Sequence, residues 1–146
     1  MRLAEKYHSM KTTTLTAFIV LLLFSACKKD TAIRQTHYTI IPQNNSGING
    51  TVTFTEQASV SQTQVDVEVN NANASYYVAH IHVGTPASYH IAVYQFDSIP
   101  ASGGHISYKT NIPLQYDSAL AFNGTFVIHD STGNAVLGLC GIGINK

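Results

Sequence analysis

The sequence predicts an all-β domain, a sandwich or barrel of about eight short antiparallel strands occupying residues 36–146. Three observations carry this. Apolar and polar residues alternate in twos from residue 36 onward, and the alternating runs are rich in Val, Ile, Thr, Tyr and Phe. Asn, Gly, Ser and Pro break the alternation roughly every ten residues, as turn chemistry requires. No helical segment is expected in that range.

The strands follow in order. "THYTIIPQ" (36–43) and "NGTVTFTEQ" (49–57) are Thr-, Val- and Ile-rich and are separated by the turn "NNSGING" (44–50). "TQVDVEVNN" (63–71) places a Val at every second position, and "NNANAS" (70–75) ends it. "SYYVAHIHVG" (75–84) and "YHIAVYQF" (89–96) come next, closed by the turn "SIPASGG" (98–104). "GHISYKTN" (104–111), "FNGTFVIHD" (122–130) and "AVLGLCGIGI" (135–144) complete the set. There is no internal repeat.

Residues 1–27 stand apart from this domain. Lys11 after Met10, an apolar run from Leu15 to Phe24 and the small pair Ser25–Ala26 before Cys27 have the layout of an export signal, with Met10 its more typical start. The apolar run is too short to span a bilayer. "LFSAC" resembles the lipobox of bacterial lipoproteins, which implies that Cys27 carries lipid and tethers the chain to a membrane of the cell envelope. Residues 28–35 then form a polar tether. Cleavage before Cys27 leaves five Lys and Arg against seven Asp and Glu, a formal charge of −2. It also leaves Cys140 without a disulfide partner, so stability must come from the core.

The whole chain is formally neutral with 11% charged residues, so it lacks the basic footprint that nucleic acid demands. Seven histidines nearly match the eight Lys and Arg, which makes imidazole prominent among the groups able to do chemistry. In "YYVAHIHVG", Ala79, Ile81 and Val83 share one strand face while Val78, His80 and His82 share the other. In "TFVIHD" the same division puts Phe126 and Ile128 on one side, with Thr125, Val127 and His129 opposite. If the two strands neighbour each other, His80, His82 and His129 converge outside the core. A lone strand histidine is usually a surface or hydrogen-bonded group. Two imidazoles two residues apart can instead grip one ion, and burying both without a partner would be costly.

These residues carry a resemblance. "INGTVTFTEQ", "VDVEVNNANASYYVAHIHVG", "NGTFVIHD" and "LGLCGIGI" are similar, in order and style, to the copper/zinc superoxide dismutase family over residues 36–145. The resemblance implies a Greek-key β-barrel and copper ligands at His80, His82 and His129. It implies superoxide as substrate, with oxygen and hydrogen peroxide as products. His90 is a candidate fourth copper ligand and equally a surface histidine. Departures are definite. The segment "TPASYHIAVYQFDSIPASGG" is too short for the family's zinc-binding loop and offers only His90 and Asp97 as donors, so zinc is not expected. The family's guiding arginine is missing, because no Lys or Arg lies between Asp130 and Lys146. Steering of superoxide to the metal should therefore be weak. His105, on a face with Ser107 and Lys109, is expected to face solvent, and His37 has no evident role. "AHIHVGTPA" also resembles the signature of chordin-type CHRD domains, which implies a non-enzymatic binding module instead. A copper-holding protein without turnover fits the same residues. Oligomeric state is not legible in the sequence.

Overall fold

The alternating runs become eight strands: β1 (Gln35–Pro42), β2 (Asn49–Glu56), β3 (Thr63–Asn70), β4 (Tyr76–Thr85), β5 (Ser88–Pro100), β6 (His105–Ile112), β7 (Asn123–His129) and β8 (Val136–Gly143). They come from a computed structural model that describes residues 32–58 and 61–146. The signal, Cys27 and residues 28–31 of the tether lie outside the described residues. Every strand pairing is antiparallel, in the order β5-β4-β7-β8-β1-β2-β3-β6. The all-β expectation therefore holds, with its eight strands.

β1 joins the two halves of the sheet. Its residues from Gln35 to Ile40 pair with β2, whereas Ile41 and Pro42 pair with Leu139 and Gly138 of β8. A strand that changes partner in this way turns a corner and curls the sheet. The chain also returns across the fold, so that β6 lies beside β3 and β7 beside β4, as Greek-key connections do. The two edge strands approach each other, with the rings of Phe96 on β5 and Tyr108 on β6 6.4 Å apart.

The alternate residues that face inward form one core. Val52 and Phe54 of β2, Val65 and Val67 of β3, Ala79 and Ile81 of β4, and Phe126 and Ile128 of β7 are all essentially inaccessible to solvent. Burying each large apolar side chain contributes about 1.5–3 kcal/mol. Cys140 belongs to this core, and burial pushes its thiol pKa up to about 12. It stays protonated and unpaired.

Two local readings need correction. A one-turn helix, α1 (Tyr116–Ala121), precedes β7 where no helix was expected. Six residues are too few to show a helical period, and α1 owes its place to packing: it buries Tyr116 and Ala119, three residues apart. Arg34 fixes it from outside, bonding Glu56 of β2 at 2.7 and 2.8 Å and Asp117 at 2.7 Å while its guanidinium lies 4.8 Å from the Tyr116 ring centre. The second correction concerns β5, which continues through Ser98 to Pro100 rather than ending at Phe96. Ser98 takes a left-handed φ of 55°, and the β4–β5 register shifts at that point. A bulge hides this length from a reading that counts strict alternation.

Candidate metal centre

β4 and β7 are hydrogen-bonded neighbours, and their register decides what meets on the outer face. Val78 lies opposite His129, His80 opposite Val127, and His82 opposite Thr125. Directly opposed residues share a face, so all three histidines stand on the side away from the core. His129 is a diagonal neighbour of His80, with ring centres 5.0 Å apart. His80 and His82 are 5.5 Å apart, and His82 and His129 6.2 Å.

Each ring offers one nitrogen, and these three nitrogens lie within 4.8 Å of one another. Three nitrogens around one ion would sit about 3.5 Å apart, given a metal–nitrogen distance of about 2.0–2.1 Å. The group can hold a metal ion.

The environment of His129 favours the neutral, ligating form. His129 is only 8% exposed, and neither of its ring nitrogens has a hydrogen-bond partner. Its pKa is lowered, first by burial and then by His80 and His82, while Asp130 opposes this weakly. A neutral ring keeps a lone pair for a metal. His82 is half-buried, and its Nδ1 lies 2.8 Å from the backbone carbonyl of His90. A carbonyl only accepts, so Nδ1 carries the proton and donates. In the neutral ring Nε2 is then bare, and it is buried with no hydrogen-bond partner. An ion between the rings would satisfy it.

The other candidates are placed elsewhere. The imidazole of His90 is exposed and does not belong to the trio; what reaches the site is its carbonyl. The side chain of Asp97 lies outside the described residues. Asp130, next to His129, commits its carboxylate to the β7–β8 turn, where Oδ1 accepts from the Thr132 hydroxyl at 2.8 Å and the Asn134 amide at 3.0 Å. Those bonds lower its pKa, and Asp130 is not one of the three grouped residues. His37 is exposed and bonded to the Thr53 hydroxyl, and His105, exposed as expected, is bonded to Asn70.

Sequence reasoning did not find Tyr89. Its ring centre lies 4.9 Å from that of His82. Nothing in "SYHIAVYQF" signals this, because the contact depends on how β5 is bulged against β4. No helix among the described residues is long and apolar enough to cross a membrane. The chain matches no protein-family model, no curated protein and no solved structure.

Proposed function

We propose that the domain is a copper-binding protein of the cell envelope, anchored by lipid on Cys27, whose site dismutes superoxide. One observation carries the metal part: three imidazoles from two paired strands offer converging nitrogens, and one of them, His82 Nε2, is bare, buried and unpartnered. Copper is favoured over zinc by the general affinity order of divalent ions and because an all-nitrogen set suits both of its oxidation states. Bound there, it would supply a one-electron couple; two superoxide ions and two protons give one oxygen and one hydrogen peroxide.

His80, His82 and His129 would hold the ion. The half-buried state of His80 and His82 leaves one side of the site toward solvent, where a small anion can approach and water can deliver both protons. No protein base is required.

A second reading, copper holding without turnover as in a chaperone or a CHRD-like binding module, is favoured by one specific feature. The described cations are Arg34, Lys109 and Lys146, none of them on β4, β5 or β7. Arg34 is paired with Glu56 and Asp117, and Lys109 with Asp66. Superoxide would arrive unsteered, without the 10–10³-fold gain in on-rate that focusing supplies.

Elemental analysis after loading with copper and zinc together should find one copper per chain and no zinc held against a mild chelator. Retained zinc in place of copper would overturn the metal assignment. A superoxide assay on the copper-loaded protein separates the two functions: turnover no faster than that of free copper complexes refutes the enzyme and leaves the holder.

A further inference from the structure

We infer that the edge strand β5 builds the metal site from outside the ligand set, with Tyr89 as a positioning residue that holds His82 in one tautomer and one orientation. This rests on the metal reading above and adds an element to it.

The device begins with a register shift. His82 pairs with Ala92 and Gly84 with Tyr89, so Val83 of β4 faces two residues of β5, His90 and Ile91. A bulge of this kind leaves one residue without a ladder partner and turns its main chain. The carbonyl freed for other use is that of His90, and it accepts the Nδ1 proton of His82 at 2.8 Å. Gly84 lets β5 come close enough. Its φ is +110°, and a Cβ there would stand 2.4 Å from the Ser88 carbonyl oxygen and 3.0 Å from the Tyr89 Cα. With no side chain at Gly84, the half-buried Tyr89 lies diagonal to His82, and its ring covers the imidazole at 4.9 Å between centres, inclined by 57°.

His82 is thus held at two points, by a hydrogen bond at Nδ1 and by an aromatic face. What remains is a narrow range of ring orientations, with the buried, unpartnered Nε2 left for an ion. Outer contacts of this type fix both the nitrogen that ligates and the ring plane, and their loss costs about 10–100-fold in metal affinity. The phenol oxygen has no part in this, so the ring alone should suffice.

The test uses the lipid-free domain with ¹⁵N-labelled histidine, the variants Tyr89→Ala and Tyr89→Phe, and Val93→Ala as a control at an exposed position of β5. Imidazole NMR of the metal-free protein reads the His82 tautomer. Competition with a chromophoric chelator reads Cu(I) affinity, and electron paramagnetic resonance reads the Cu(II) ligand field. Wild type should show a single Nδ1–H tautomer. Tyr89→Ala should show mixed tautomers, a 10–100-fold loss of Cu(I) affinity and an altered Cu(II) spectrum, while Tyr89→Phe and Val93→Ala keep wild-type behaviour. Unchanged tautomer and affinity in Tyr89→Ala would overturn the inference. An equal loss in Val93→Ala would overturn it too, by tracing the effect to strand stability. A single locked tautomer in a wild-type protein that binds no copper would leave the clamp standing and refute the metal reading instead.

Discussion

Replacing His129 with leucine should stabilise the metal-free domain and destroy its response to copper. The reasoning starts from the two ring nitrogens of His129, buried beside Val127 and Ile128 with no hydrogen-bond partner. Leaving a buried polar group unsatisfied costs about 1–3 kcal/mol. Leucine has nearly the same volume and no polar atom, so His129→Leu should recover about 1–2 kcal/mol, the lower part of that range, because the native ring can relax slightly. With a urea m-value of about 2 kcal/mol per molar, the middle of the usual range, the midpoint should rise by about 0.5–1 M at neutral pH in the presence of chelator. Copper should reverse the order. Free copper at a hundredfold excess over Kd stabilises wild type by about 2.7 kcal/mol, and the variant should gain almost nothing. Urea titrations of both proteins, each with chelator and with copper, measure all four values. A variant less stable than wild type in chelator would show that His129 serves the fold rather than a ligand. A copper-induced shift equal to that of wild type would remove His129 from the site.

Acid should destabilise the metal-free domain through the same residue. The folded pKa of His129 is lowered, so below its unfolded value of about 6.5 the unfolded chain binds the extra proton and stability falls as pH falls. The slope attributable to His129 is at most about 1.4 kcal/mol per pH unit, and His129→Leu should abolish that share; an unchanged pH profile in the variant would refute the attribution. Gly50→Ala should cost about 1–3 kcal/mol or more, because a Cβ there would stand 2.0 Å from the Glu68 carbonyl oxygen across the β2–β3 ladder; a wild-type urea midpoint would contradict the close approach. Cys27→Ser should release the protein from the membrane fraction or block processing of the signal. Wild type and variant found alike as soluble cytoplasmic protein would end the envelope assignment.

The features legible in the sequence are those governed by period. Strict alternation in "VDVEV" and "AHIHV" set both the strands and their buried faces, and Val65, Val67, Ala79 and Ile81 are in the core. The same period put His80 and His82 on the outer face, and the pairing of β4 with β7 then brought His129 to them. That pairing is a long-range fact, and local pattern could only pose it as a condition. What stayed hidden breaks the period or uses the main chain. The bulges of β5 carry the strand through Ser98 and Pro100, which read as turn residues, and aim the His90 carbonyl at His82 from a stretch, His90–Ile91, that carries no turn signature. α1 is a single turn held by Tyr116, Ala119 and the Arg34 contacts, which tertiary packing alone supplies.

The position of the site explains how the fold can carry it. On β7 one face is given to Phe126 and Ile128 in the core, and the other to Thr125, Val127 and His129. Polar groups placed on that second face cost some stability, but they stand apart from the apolar side chains of the core. The edge position of β5 fits the same division. An edge strand needs irregularity to discourage pairing with other chains, and the bulge that supplies it here also frees a carbonyl and seats an aromatic ring against His82. Substitutions in β5 should therefore alter the metal site before they alter the fold, whereas substitutions at Phe126 or Ile128 should unfold the domain and lose the site together. Comparing urea midpoints with copper affinity across the two sets measures that separation.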